Sequence, residues 1–212
     1  LNNVQVNQSG SYTATHTNAS GCVSTQMFSL TVNQQPSNLP SPWQTADVGS
    51  VGATGSASHS SGTFTVNASG SDVFDFADEF RFVYQPFNGN VTVTARVPSL
   101  TNTNAWPKAG VMIRESLNGN SSNAAMLLTP SNGFNFQYRN GTGAGSTAAG
   151  NASGSIPNWV RITRSGNTLT GLRSTNGTTW TQRGSVTKSL PSNAYIGFFA
   201  TSHNDGVRTD VD

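Results

Sequence analysis

The stretch that decides the fold is residues 106–117, WPKAGVMIRESL. Polar residues and a proline at its start favour a loop, and the LNGNSSN that closes it favours a turn. Between these breaks, residues 111–113 (VMI) are consecutively apolar. A strand of this composition is expected to be covered on both faces. Arg114 and Glu115 follow at the strand end, where a binding groove would begin.

The composition indicates short strands joined by many turns. Charged residues make up 9% of the 212 residues, against about 25% in an average soluble protein. Ser, Thr, Asn and Gly take their place, which suits neutral polar ligands such as glycans. The net charge is only +2 and the basic residues are scattered, which argues against nucleic-acid binding. No apolar run approaches the ~18 residues of a membrane span, and the first residues do not have the pattern of a signal peptide.

Strand signals recur from Trp43 to the end of the chain, separated by Gly-rich turns. They are GTFTVNASG, EFRFVYQ, NVTVTARV, NAAMLLT, GFNFQYR, NWVRITRS, NTLTGLRS, TTWTQRG and YIGFFATS. Only DVFDFADEF offers room for a helical turn. The pattern predicts an all-β antiparallel sandwich over residues 43–212, and we expect Trp159 and Trp180 in its core.

The first 33 residues are too few for a domain. GSYTATHTNASGC and STQMFSLTVN are typical of two alternating strands around the turn NASG, and a lone hairpin is marginal in water. Residues 34–42, QQPSNLPSP, hold three prolines and predict a short, stiff linker. We therefore divide the chain into residues 1–33, the linker 34–42 and the domain 43–212.

KAGVMIRESL resembles the signature of bacterial concanavalin A-like jelly-roll modules, the laminin-G-like group related to xylan-binding accessory domains of glycosidases. The likeness continues in the same order through WQTADVGSVGATGSAS, FRFVYQPFNGNVTVTARV, WVRITRSGNTLTGLRSTNGTTWTQRGS and YIGFFATSHN. It implies an antiparallel two-sheet jelly roll with one concave face. The family usually closes with an Asp-rich strand containing FD, whereas TDVD ends this chain, so the last strand is expected to be cut short or to lie at the boundary.

SGSYTATHTNASG resembles the last hairpin of an Ig-like module, with Tyr12 at the tyrosine corner and Ala14 in place of the inter-sheet cysteine. It is similar to Ig-like repeats of large bacterial surface proteins, in which a cysteine often follows NASG and pairs with an earlier strand. Cys22 is therefore either a free thiol or, as the resemblance implies, the partner of a cysteine upstream of Leu1. We interpret the chain as a slice of a longer secreted or cell-surface protein.

Catalysis is not predicted. A glycosidase needs two carboxylates about 5–9 Å apart, which on one strand would give an E-x-D pattern, and no strand has one. The three histidines lack metal-ligand spacing, and there is no G-x-S-x-G motif. A hydrolase remains the third hypothesis, to be decided by an assay of polysaccharide cleavage.

A structural calcium ion is suggested by the resemblance, because similar modules often carry one. Asp47 lies near the start of the domain and Asp210 and Asp212 near its end, and terminal strands are commonly neighbours. The segment DVFDFAD is a second candidate. The alternative is that these carboxylates are solvated or cap strands.

Glycans stack on aromatic faces and are held by amides and charged groups. The predicted glycan-binding residues are Tyr84, Trp106, Arg114, Tyr138, Arg139, His203 and Asn204. Each also has a structural interpretation. Trp106 would be a loop anchor, Tyr84 and Tyr138 would be core, Arg114 would pair with Glu115, and His203 and Asn204 would end the last strand.

Together these features predict a non-catalytic, lectin-like module of an adhesin or a glycosidase accessory region, with a polysaccharide or cell-surface glycan as its partner. The alternative is a structural spacer or subunit of a surface adhesin or filament, whose partners are neighbouring domains of the same long chain or further copies of it. We expect a secreted or cell-surface location in either case.

Overall fold

The computed structural model describes residues 10–30 and 38–212, and it separates into two compact units at the boundary between Pro36 and Ser37. Every regular element in these two ranges is a β-strand. The strands are β1 (Gly10–Thr17), β2 (Val23–Leu30), β3 (Gln44–Val48), β4 (Ser56–Ser60), β5 (Thr63–Ala68), β6 (Val73–Phe74), β7 (Ala77–Asp78), β8 (Phe80–Phe87), β9 (Val91–Val97), β10 (Lys108–Arg114), β11 (Asn123–Thr129), β12 (Gly133–Arg139), β13 (Ser146–Ala148), β14 (Asn158–Ser165), β15 (Thr168–Ser174), β16 (Thr181–Thr187), β17 (Ala194–Thr201) and β18 (Thr209–Val211). No helix long and apolar enough to cross a membrane occurs in the described ranges.

The smaller unit is the predicted hairpin. Strands β1 and β2 pair antiparallel, with Tyr12 opposite Phe28 and their rings stacked 5.8 Å apart. Asn18 shapes the turn, since its side-chain oxygen accepts from the backbone N–H groups of Ser20 and Cys22. Cys22 is exposed, and its pairing with an upstream cysteine stays a prediction. So does the Ig-like character of this unit.

The larger unit is an antiparallel two-sheet jelly roll, as predicted. One layer is a seven-stranded sheet in the order β13-β12-β11-β10-β17-β8-β3. The other layer combines a four-stranded sheet (β16-β15-β14-β9) with a three-stranded sheet (β18-β5-β4). The main core lies between the layers, where Val111 and Ile113 meet Val160 and Ile162. Alternation along β10 and β14 places these residues on the facing sides.

Strand β10 is buried at every one of its seven positions, which confirms the prediction that both of its faces are covered. The second covering lies on the face away from the main core. There Met112 joins Phe80, Phe82 and Phe199 in a separate apolar cluster. We call this face the concave face, after the one concave face that the resemblance implied.

The segment that covers the concave face is residues 70–79, which we call the cover. The sequence left room here for a helical turn, and the structure has none in this segment. Strands β6 and β7 instead form a small hairpin, with Val73 opposite Asp78 and Asp75 at a turn φ of 44°. Alternating apolar and acidic residues with a turn between them suit a two-stranded ribbon, in which Val73 of β6 is fully buried.

Trp159 and Trp180 lie outside the core, contrary to prediction. On β14 the core-facing positions are Val160 and Ile162, so alternation sends Trp159 and Arg161 to the outer face. Trp180 lies just before β16 and stacks on the Arg161 guanidinium, 3.7 Å from its ring centroid. Both indoles are half-buried.

The core is closely packed around Phe136 on β12. Gly171 and Gly184 face each other across β15 and β16, and a Cβ atom on either would clash with the Phe136 ring. Two glycines side by side thus form the recess that accepts an aromatic ring from the opposite sheet.

Part of the predicted linker packs on the larger unit. Leu39 contacts the main core, and the Asn38 side chain exchanges hydrogen bonds with the backbone of His59. Residues 34–37 lie outside the described ranges.

Candidate functional site

A pocket of about 290 Å³ opens on the concave side at the β12 end of the large sheet. At this end of the large sheet Asn135 is half-buried, whereas the middle of the concave face is buried. Its lining combines exposed aromatic surface with several amides and a charged pair: Asp72, Phe74, Trp106, Lys108, Leu127, Asn135, Gln137, Ala148, Asn151 and His203. Of the predicted glycan-binding residues, the structure brings Trp106 and His203 together here.

Trp106 forms one wall and is 42% exposed. It stands in the loop before β10, where Pro107 cannot donate a backbone hydrogen bond. The loop before Trp106 is held by a hydrogen bond, because Asn132 Nδ2 donates to the Ala105 carbonyl at 2.6 Å. An indole held in place with much of its surface in solvent can stack on a sugar ring.

The charged groups of the pocket are paired with one another. Lys108 Nζ forms an ion pair with Asp72 and also lies 5.4 Å from the centre of the Phe74 ring. His203 Nε2 is 3.3 Å from the second oxygen of Asp72, and His203 Nδ1 is 3.2 Å from Asn104 Oδ1. Because the Lys108 and Asp72 charges cancel, the pocket suits a ligand without net charge.

His203 adopts φ = 52°, a backbone conformation that is uncommon for a residue with a side chain. It follows β17, and the chain there is fixed by Ser202 Oγ, which donates to the Asn204 carbonyl at 3.0 Å. Backbone strain of this kind is often found at functional sites. In this backbone conformation the His203 imidazole contacts the Asp72 carboxylate.

The floor of the pocket carries amides from β12. Gln137 is buried, and its Nε2 donates to the Val73 carbonyl. Asn135 Oδ1 is a buried atom with no hydrogen-bond partner among the described residues. A buried acceptor in that state is costly.

Arg114 and Arg139 lie elsewhere, and their predicted exposure is wrong. Both side chains are fully buried, together with Asp78 of β7. Arg139 Nη2 is 2.6 Å from Asp78 Oδ1, and Arg114 Nη1 is 3.3 Å from Asp78 Oδ2. Arg114 therefore pairs with Asp78 rather than with Glu115. Burial and the nearby Arg139 lower the pKa of Arg114 to about 10, although Asp78 opposes that shift.

The two predicted tyrosines pack into apolar clusters on different faces of the large sheet, which agrees with their structural interpretation as core residues. Tyr84 is 7% exposed and stacks on Phe82 in the concave-face cluster. Its burial raises its pKa, as does the nearby Tyr195. Tyr138 continues the stripe of Phe134 and Phe136 and packs against the main core. Neither tyrosine lines the pocket.

Asn204 is exposed beside His203 and donates weakly, at 3.5 Å, to the Thr103 carbonyl. It lies next to the rim without lining the pocket. The interpretation of His203 and Asn204 as the end of the last long strand agrees with their position directly after β17, but His203 also faces the pocket.

Each of the three predicted calcium ligands has protein partners in this structure. Asp47 is paired with Arg81 at 3.2 Å and accepts from the Gly55 amide, so a guanidinium already neutralises it. Asp210 accepts from Asn67, and Asp212 accepts from Thr65 and Ser99. Within the described ranges, no three acidic, histidine or cysteine side chains are grouped closely enough to hold a metal ion. In the second candidate segment, Asp78 forms ion pairs with Arg114 and Arg139.

A larger cavity of about 380 Å³ lies between β5 and β9 on the other side of the large sheet. Its lining is mainly apolar, including Phe64, Val66 and Phe198, with Trp159 and Arg96 at its edge. It contains none of the predicted glycan-binding residues and has fewer amides than the pocket at Trp106.

Sequence reasoning missed Asp72, Lys108, Asn135, Gln137 and Asn151. A signal existed for two of them, since Asn135 and Gln137 alternate with Phe134 and Phe136 in GFNFQYR and so must face away from the core. Asp72 and Asn151 come from loops whose positions depend on long-range folding.

No known family model and no curated protein sequence matches this chain. A solved structure of a functionally unknown protein from Saccharomyces cerevisiae is similar in fold, with 16% identity over 74% of this chain and 87% of that one and a TM-score of 0.58. Weaker similarities include the metal-free lectin I-B4 of Griffonia simplicifolia (12% identity, 79% and 89% covered, TM-score 0.48) and a prokaryotic β-1,3-1,4-glucanase (lichenase) derived from a mouse hindgut metagenome (11%, 82% and 93%, TM-score 0.48). At these identities the likeness concerns the fold alone.

Proposed function

We propose that this chain is a non-catalytic carbohydrate-binding module that holds a neutral glycan in the pocket beside Trp106. The observation that carries the proposal is that the half-exposed indole of Trp106 lines one pocket together with the side-chain amides of Asn135, Gln137 and Asn151. The indole supplies a stacking surface and the amides supply hydrogen-bonding groups, and a sugar uses both. The fold class, common among sugar-binding proteins, supports this only as an analogy.

The chemistry of the concave face supports binding without cleavage. On β10 the positions that face this side are Lys108, Gly110, Met112 and Arg114, none of them acidic. The one carboxylate that lines the pocket is Asp72, which is already paired with Lys108. Hydrolysis of a glycosidic bond needs two carboxylates on either side of it. An assay that detected reducing sugar released from a polysaccharide would contradict this part of the proposal.

The binding test is a glycan array followed by calorimetric titration of the best ligand. Trp106→Ala should weaken binding about tenfold or more, which corresponds to about 1.4 kcal/mol of lost stacking. Phe76→Ala is the matched control, because Phe76 is 68% exposed but does not line the pocket. It should bind as the parent protein does. Equal binding by the two variants, or no binding of any glycan, would sink the proposal.

The exposed hairpin favours the structural alternative, in which this chain is a spacer or assembly unit of a larger surface protein. Val23 and Met27 on β2 are 64% and 67% exposed, unusual for large apolar side chains. Exposed apolar strands are common at protein interfaces. Light scattering at rising concentration tests this role, since a monomer throughout would count against self-assembly. In either role we propose a secreted or cell-surface location, supported by the low charge content and the surface-protein resemblance.

A further inference from the structure

The concave face of a jelly roll can bind a long chain only if a groove runs across its strands. The register of the sheet identifies the residues that would line such a groove. One row across the strands is Asn135, Leu127, Gly110, Phe199, Phe82 and Ala46, and the next is Gln137, Ala125, Met112, Gly197, Tyr84 and Gln44. Alternation along each strand places both rows on the concave side.

These rows are buried across the middle of the sheet. In the first row Leu127, Phe199 and Phe82 are at most 2% exposed, and in the second row Ala125 and Met112 are fully buried. Solvent reaches the β12 end of the first row, where Asn135 is half-buried, and Ala148 beyond β12 is exposed. An extended glycan therefore has no open path from the pocket towards β10 and β17.

The cover is what closes this path, and it is firmly attached. Lys108 and Gln137 both donate to the Val73 carbonyl, and Arg139 donates to the carbonyls of Phe74 and Asp75. The buried Asp78 adds an ion pair to each of two arginines. Asn123 of β11 also donates to Asp78, so strands β10, β11 and β12 all bond to this short hairpin and make the cover a fixed part of the fold.

From this arrangement we infer that the pocket recognises the end of a glycan chain and not its interior. The inference rests on the proposed function. A terminal sugar would stack on Trp106 beside the Asn135 side chain, while Leu127 and the covered row behind it prevent a further sugar from continuing inwards. The rest of the chain would leave over the exposed Ala148 and Asn151.

The test uses the glycan identified on the array, as a series from disaccharide to hexasaccharide of the same linkage, titrated at equal molar concentration. Binding at a chain end predicts that the Kd per molecule changes by less than about twofold beyond the shortest ligand that binds. Binding to the interior predicts a steady rise in affinity, because a longer chain offers more registers.

Two chemically modified hexasaccharides complete the experiment. In one the reducing-end ring is opened by borohydride reduction, and in the other the non-reducing end is capped by a bulky acetal. We expect one modification to weaken binding at least tenfold and the other to have little effect. If both modified ligands bind like the parent and affinity rises with length, the inference is overturned while the proposed function stands. If no glycan binds, or Trp106→Ala changes nothing, the proposed function fails and this inference with it.

Discussion

The substitution Asp78→Asn tests whether the buried charge cluster holds the cover in place. Asp78 accepts from Arg139 Nη1 and Nη2 at 2.8 and 2.6 Å, from Arg114 Nη1 at 3.3 Å and from Asn123 Nδ2 at 3.1 Å. All three charged side chains are fully buried. Asparagine would remove the negative charge and place an NH2 group against the arginine N–H groups, which cannot accept a hydrogen bond.

Removing one member of a buried ion pair costs about 3–5 kcal/mol, since the remaining charge stays out of water without a partner. For a domain of this size that loss lowers Tm by about 6–20 °C, at about 2–4 °C per kcal/mol. We expect both changes for Asp78→Asn, measured as the free energy of unfolding in urea and as Tm by calorimetry. The cover should also become more open to amide hydrogen exchange.

Asp75→Asn is the matched control, in the same hairpin and with the same loss of charge. Asp75 is exposed at a φ of 44°, where asparagine is well tolerated. It should leave the free energy of unfolding within about 0.5 kcal/mol of the parent. A value for Asp78→Asn within the same range would refute the reasoning, because it would mean that the two arginines do not depend on this carboxylate.

Three further predictions follow from the core, a buried lysine and the carboxylates. Gly184→Ala should lower the free energy of unfolding by about 1–3 kcal/mol, because the new methyl overlaps the Phe136 ring; equal stability in urea would contradict this. Burial, reinforced by Arg139 and opposed by Glu115, lowers the pKa of Lys188 to about 7 from 10.5. The unfolded state then holds more protons between those values, so stability should rise from about pH 7 to 10, and Lys188→Met should show a smaller rise. Chelation with EDTA should leave Tm unchanged, since Arg81 neutralises the predicted calcium ligand Asp47; a fall in Tm restored by calcium would revive that site.

The sandwich could be predicted from the sequence because its signals are local. Alternation of apolar residues and Gly-rich turns placed most strands within a few residues, and three adjacent apolar residues in β10 predicted that both of its faces are covered. The prediction that Trp159 lies in the core was wrong because its neighbour Val160 occupies the core-facing position of β14. The register of a strand decides which of two neighbouring residues faces the core, and a shift by one residue exchanges the two faces.

The concave face could not be predicted in the same way, because what covers it comes from far along the chain. Arg114 and Arg139 look like exposed charges at strand ends until Asp78 is placed between them, and Asp78 is 36 and 61 residues away in sequence. In a chain with only 9% charged residues, a buried group of two arginines and an aspartate must replace the water it loses with many fixed acceptors. Backbone carbonyls of the cover and of the loop after β10 supply them, at Phe74, Ser116 and Asn118. The arginines predicted to bind a glycan thus bind the cover instead, and under the proposed function they leave the pocket at Trp106 as the binding surface.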